Sequence, residues 1–108
     1  MRFKESNWNK FFDGSNKQTT FRTRKSKIGH HKAYAGSYYH PKLLGEFDVV
    51  KIDEKIFDKL TEQDAKDDGF RNLEDLKNEL IQLNGYKILE IPLYKHWITN
   101  TKQWKQKT

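Results

Sequence analysis

The chain has 108 residues, enough for one domain, with 34% apolar and 14% aromatic residues. It has no cysteine and no apolar run of membrane-spanning length, which excludes disulfides, thiolate zinc sites and a transmembrane helix. Net charge is +6 and unevenly spread: residues 1–45 carry ten Lys/Arg against two Asp/Glu, residues 46–91 seven against thirteen, and residues 92–108 four against none.

Large aromatic side chains let a chain this poor in apolar residues build a core. The charge division predicts a two-faced molecule whose basic face meets nucleic acid or another phosphate-rich partner. The N-terminal stretch MRFKESNWNK has no signal-peptide core, so a soluble, cytoplasmic protein is expected.

In chain order, SNWNKFFDG predicts a short helix with Ser6 as N-cap, aromatics Trp8, Phe11 and Phe12 on one face, and Gly14 as its stop. KQTTFRTR predicts a strand with Thr19, Phe21 and Thr23 on one face and Thr20, Arg22 and Arg24 on the other. KSKIGHHKAYAGSYYHPKLLG has no sustained period and four glycine or proline breaks, which predicts a long loop over 28–44. Such loops are commonly functional. EFDVVKI returns to strand character.

LTEQDAKDDGF predicts a helix capped by Thr61, with Asp64 three residues on and Gly69 as its stop. NLEDLKNELIQLNG predicts another, capped by Asn72, with Leu73, Leu76, Leu80 and Leu83 on one face. YKILEIPLYKHW then predicts a long strand that Pro92 places at a sheet edge or a bulge. A domain over 1–98 and a frayed basic tail over 99–108 complete the reading. The order of elements predicts an α+β domain, with helices on a small, mostly antiparallel sheet or barrel.

Two of these stretches carry a resemblance. Gly14 followed by KQTTFR resembles the Gly, Lys and Thr-hydrophobic-Arg strand of the ASCH domain, a branch of the PUA-like superfamily. LTEQDAKDDGFRNLEDLKNELIQLNG resembles that family's L-T-E-E-D-A-x-x-E-G-F turn of helix and its Leu-rich successor. With YKILEIPLYK the resemblance covers most of the chain and is weakest over 28–44, where a His/Tyr-rich segment replaces a Gly-Asp turn and short strand. It implies a small PUA-like β-barrel with flanking helices, a cleft between them, and association with RNA or nucleic-acid modification. One bacterial branch is similar to an amidohydrolase that removes acetyl from N4-acetylcytidine. Its Lys, Thr and acidic residue match Lys17, Thr20 and Asp68, with Asp68 standing where the family typically has Glu.

A Thr hydroxyl attacks only when a base takes its proton, and Lys is a base only when neutral. Burial and nearby cations lower its pKa, and Arg22, Arg24 and Lys25 are close in sequence. Lys17 and Thr20 are three apart, so a regular strand aims them oppositely, and the enzyme reading needs a bulge or turn there. The plain alternative is an ordinary Lys17–Asp68 ion pair between strand and helix. The binding reading needs less. Lys17, Arg22, Arg24, Lys25, Lys27 and Lys32 contact phosphates, while His31, Tyr34, Tyr38, Tyr39 and His40 stack on unpaired bases or line the pocket mouth. Core packing beneath the loop is the competing role for the tyrosines.

His30, His31 and His40 lack thiolate support and helical metal spacing, so neither a metal nor a cofactor is expected. His96 and Trp97 read as packing residues. The leading expectation is a monomeric protein that binds RNA or other single-stranded nucleic acid. The alternatives are an amidohydrolase acting on a modified nucleoside and a protein-interaction module that uses the acidic helices from Glu62 to Glu79.

Overall fold

The computed structural model describes residues 1–104. Its centre is a four-stranded antiparallel sheet with β1 at Thr19–Arg22, β2 at Gly29–Gly36, β3 at Pro41–Lys55 and β4 at Leu93–Gln103. The strand order is β1-β4-β3-β2. Three α-helices, α1 (Glu5–Asn9), α2 (Glu62–Asp67) and α3 (Leu73–Asn84), complete it, with short 3-10 turns at Phe57–Lys59 and Tyr86–Leu89. None of the described helices is long and apolar enough to cross a membrane.

The two central helices start where the sequence places them. The Thr61 hydroxyl accepts from the Asp64 N–H, and the Asp64 carboxylate accepts in return from the Thr61 N–H, a reciprocal capping box. The Asn72 side chain accepts from the Asp75 N–H. In α3, Leu76 and Leu80 are buried and Leu73 packs against them, while Leu83 is exposed. α1 differs from expectation. Ser6 lies inside the helix, the N-cap is Lys4, and no side chain caps it. Trp8 anchors this helix instead, fully buried among Phe3, Phe11, Phe12 and Phe47.

The predicted loop over 28–44 is largely sheet. β2 and β3 form a hairpin whose turn is confined to residues 37–40. β2 does alternate, but its buried positions are Ala33 and Ala35, too small to register as a hydrophobic pattern. The predicted strand over Tyr86–Trp97 begins instead at Leu93, immediately after Pro92, and Tyr86–Leu89 is a 3-10 turn. Proline lacks the N–H that a paired strand needs, so it sits at the strand's threshold. β4 is consequently central rather than an edge.

Nor is residue 99 the start of a tail. β4 continues to Gln103, paired with β3 through Glu46↔Lys102 and Gly45↔Gln103. Gly45 permits that approach, because a Cβ there would run into the Lys102 carbonyl and the Trp8 ring. The end of the predicted tail, 105–108, lies outside the described residues.

The sheet curls into a half-barrel and does not close. Register shifts in β3, between Glu46 and Asp48 and between Val49 and Lys51, bend the long strand. The N-terminal segment runs along the free edge of β2: the Phe3 N–H donates to the Tyr34 carbonyl at 2.8 Å, and the Tyr34 N–H to the Met1 carbonyl at 3.1 Å. From the opposite edge, the Arg22 guanidinium on β1 donates to the Arg2 carbonyl. Side chains thus partly span the gap that a closed barrel would fill with backbone hydrogen bonds.

Each face of the sheet has its own core. Phe3, Trp8, Phe47, Val49 and Ile98 pack under α1. Phe21, Leu60, Ala65, Leu76, Leu80, Ile88 and Leu93 pack between the other face and the helices α2 and α3.

Candidate functional site

β1 presents chemistry on both faces because its residues alternate. Just before it, Lys17 is 6% exposed and its Nζ lies 3.1 Å from Asp68 Oδ1, where α2 ends. The same ammonium donates to the Asp68 carbonyl at 3.2 Å. The Thr19 hydroxyl, fully buried, donates to Asp68 Oδ1 at 3.0 Å. Gly69 closes the group. Its φ of +83° turns the chain out of α2, and a Cβ there would stand 3.0 Å from the Lys17 Cβ.

Burial pushes the Asp68 carboxyl above its ordinary pKa and the Lys17 ammonium below its own, with their mutual attraction opposing both shifts. The expected meeting of Lys17 with Asp68 therefore occurs. The threonine that joins them by hydrogen bond is Thr19 rather than Thr20.

Thr20 and Arg22 face a separate space. A cleft of about 640 Å³ opens between β1, the N-terminal segment and the end of α3. Arg2, Lys4, Thr20, Arg22, Arg24 and Ser26 contribute to its wall, which contains no Asp or Glu among the described residues. Lys17 and Asp68 are not part of that wall. Lys4 is neutralised by Glu79 at 3.1 Å.

Arg22 is the focal group. Its guanidinium lies over the Phe3 ring, 4.6 Å from the centroid, and one nitrogen is held by the Arg2 carbonyl. Its Nε is buried and has no hydrogen-bond partner among the described residues. Burial pulls the Arg22 pKa down to about 10, with the Asp68 carboxylate at longer range opposing. A buried Arg N–H left unpaired costs about 1–3 kcal/mol, and the side chain would have to shift to bring that N–H to an acceptor in the cleft.

Beyond β1, residues 23–28 carry Arg24, Lys25 and Lys27, all exposed, and Arg24 is part of the cleft wall. Two histidines hold this segment. His96 is fully buried on β4 opposite Thr20. Its Nε2 accepts from the Ser26 N–H at 3.0 Å and its Nδ1 donates to the Tyr94 carbonyl at 2.9 Å. Those two bonds fix the neutral tautomer with hydrogen on Nδ1. Burial lowers the His96 pKa below its ordinary value, and the Arg22 cation adds to this. His31 stacks on Phe47 with ring centroids 5.5 Å apart, and its Nε2 donates to the Lys27 carbonyl at 2.6 Å. Lys25 reaches over the Tyr94 ring, 5.5 Å from its centroid.

The remaining predicted contact residues lie on the hairpin. Lys32 is exposed on β2, and Tyr34 is half-buried under the Arg2 guanidinium at 5.7 Å. Tyr38 and Tyr39 are 80% and 84% exposed at the turn, and His40 is exposed beside them. Gly36, at the base of this turn, is part of the cleft wall.

Sequence reasoning missed Arg2, Lys4 and Ser26 as cleft residues, because Arg2 and Lys4 reach the cleft through the pairing of the N-terminal segment with β2, and Ser26 is placed there by His96. It also missed the cluster on the opposite face. There Lys95 is 3% exposed and donates to Asp64 at 2.7 Å and to Asp67 at 2.8 Å. Burial works against the Lys95 charge, but the two carboxylates outweigh it and hold its pKa above the usual value. A lysine at an inward position of an apolar strand signals a buried acidic partner, and Asp64 and Asp67 share one face of α2.

No family model matches the chain, and no curated protein matches it in sequence. A similar fold occurs in the crystal structure of protein EF3133 from Enterococcus faecalis V583, described under the family model DUF984. The TM-score is 0.57 at 14% identity, over 82% of this chain and 62% of that one. The likeness is one of fold, and this chain spans less than two thirds of that protein's length.

Proposed function

We propose that this protein binds RNA or another single-stranded nucleic acid, in the manner the ASCH/PUA-like resemblance implies, with the backbone phosphates held along the Arg22 cleft. One observation carries the reading. The cleft wall holds Arg2, Arg22 and Arg24 without a carboxylate, and Arg22 keeps a buried N–H unpartnered. Arginine beside an anion forms short, charge-assisted hydrogen bonds that position a phosphate firmly. Lys17, by contrast, is spent on Asp68 and leaves the predicted list of phosphate contacts.

Anisotropy of a labelled single-stranded RNA across a salt series tests this. The logarithm of affinity should fall linearly with the logarithm of salt, by about 0.7 per phosphate contacted. The double variant Arg22→Gln/Arg24→Gln should flatten that slope by about 0.7 per cation removed. Affinity that is absent, or indifferent to salt, sinks the proposal.

A second reading is favoured by the Lys17–Asp68 pair, which burial moves toward neutrality, and by Thr20 on the cleft wall. In it, the protein deacylates a nucleoside such as N4-acetylcytidine, with Thr20 as nucleophile and Lys17 as base. No hydrogen bond joins Lys17 to Thr20, so this chemistry requires a shift of the β1 entrance on binding. Incubation with N4-acetylcytidine should then release cytidine. Absence of product, or product formation unchanged in Lys17→Ala and Thr20→Ala, eliminates it.

A further inference from the structure

Two large rings stand in water at the tip of the β2–β3 hairpin. Tyr38 and Tyr39 are 80% and 84% exposed and contact each other edge to face, with centroids 5.5 Å apart and planes at 87°. In that geometry each ring retains an open face. The turn beneath them is ordered: the His40 N–H donates to the Ser37 carbonyl at 3.2 Å and to the Ser37 hydroxyl at 3.1 Å. Gly36, with φ of +87°, sets the turn, and a Cβ there would stand 2.9 Å from the His40 carbonyl.

The position of the turn matters as much as its exposure. Gly36 belongs to the wall of the Arg22 cleft, and Tyr38 follows two residues later, within about 7 Å of chain. The whole stretch from Gly14 to Gly45, which supplies both β1 and the hairpin, contains no Asp or Glu. A strand of nucleotides with a phosphate at Arg22 would therefore pass the tyrosines without meeting a repelling carboxylate from this segment.

We infer that the residue 37–40 turn is a stacking site for one unpaired nucleobase, contiguous with the Arg22 anion cleft. The inference rests on the proposed function and sharpens it in two ways. The minimal ligand is longer than one nucleotide, since phosphate and stacked base are gripped at separate places. The ligand is also single-stranded there, because bases inside a duplex have no face to offer a surface tyrosine.

Anisotropy with a labelled single-stranded hexauridylate, and calorimetry with uridine 5′-monophosphate, test this on the full chain. Both tyrosines are exposed, so Tyr38→Ala/Tyr39→Ala should fold normally, as an unchanged urea midpoint would show. That variant should bind the hexanucleotide about ten- to a hundred-fold more weakly. Its affinity for the mononucleotide should stay within about two-fold of the unaltered chain. Tyr38→Phe/Tyr39→Phe keeps the rings and should restore hexanucleotide binding.

An alanine variant that binds the hexanucleotide as the unaltered chain does overturns the stacking site while leaving the cleft standing. So does equal weakening toward both ligands, or a phenylalanine variant as weak as the alanine one. If the unaltered chain binds neither ligand at any salt, the cleft reading falls and the stacking site with it.

Discussion

The two faces of β1 and β4 treat buried cations in opposite ways. On the helix side, Lys95 is sealed by two carboxylates of α2, and Lys55 approaches Asp64 at 3.7 Å. On the other side, Arg22 is stacked on Phe3, tied to a single backbone carbonyl, and left with an unpartnered Nε in a wall without carboxylates. Lys17 stands between them, near the cleft in sequence but closed off by Asp68. The difference separates cations that join helix to sheet from a cation held without a carboxylate contact. Position in the basic segment therefore does not decide whether a cation is paired; a carboxylate within reach does.

The largest effect should come from breaking the sealed side. Lys95→Met leaves Asp64 and Asp67 buried without their partner, and should cost about 3–5 kcal/mol of unfolding free energy by urea denaturation. Binding in the Arg22 cleft should be unchanged by whatever fraction stays folded. Lys17→Met should come next, leaving Asp68 uncompensated. The double variant Lys17→Met/Asp68→Leu should recover most of that loss, since the cost lies in the orphaned charge. If the single and double variants are equally unstable, the pair acts through packing rather than charge.

Arg22→Gln sharpens the comparison from the open side. It should cost only about 1 kcal/mol of stability, chiefly from lost stacking on Phe3. Its affinity for single-stranded RNA should fall by about ten-fold or more. Arg22→Lys should not restore binding, because an ammonium cannot reproduce the planar fork. A stability loss as large as that of Lys95→Met would place Arg22 among the structural cations instead.

The smallest effect concerns His96. Its folded-state pKa lies below the ordinary value near 6.5, so the unfolded chain takes up the proton first as pH falls. The stability His96 contributes is complete above about pH 6.5 and is lost as pH drops toward its folded pKa. Protonation would also remove the acceptor for the Ser26 N–H that anchors the basic segment. Urea midpoints at pH 7.5 and 5.5 should differ more in the unaltered chain than in His96→Gln, and equal differences would remove His96 from this role.

What was legible in the sequence was local. Thr61 and Asn72 cap their helices because capping needs only a side chain and an N–H within the next few residues. Gly69 and Gly85 end them with positive φ for the same reason. The hairpin was illegible because His31, Ala33 and Ala35 fill inward positions usually marked by large aliphatic residues. The Lys17–Asp68 contact was legible as a plain ion pair, while the exchange of Thr20 for Thr19 was not. It depends on which face of β1 turns toward α2, and the single apolar residue Phe21, on the same face as Thr19, was the only local signal of that. The cleft itself joins residue 2 to residue 24 through long-range pairing, so only its β1 half was visible in advance.

On the proposed function, ligand is taken on the open side and not on the sealed one. Amide chemical shifts of the nitrogen-15-labelled chain, titrated with single-stranded hexauridylate, test it most directly. Shifts should cluster at Thr20–Ser26 and residues 36–40, with α2 and Lys95 undisturbed. Shifts concentrated on α2 and α3, or none at any concentration at low salt, would contradict it.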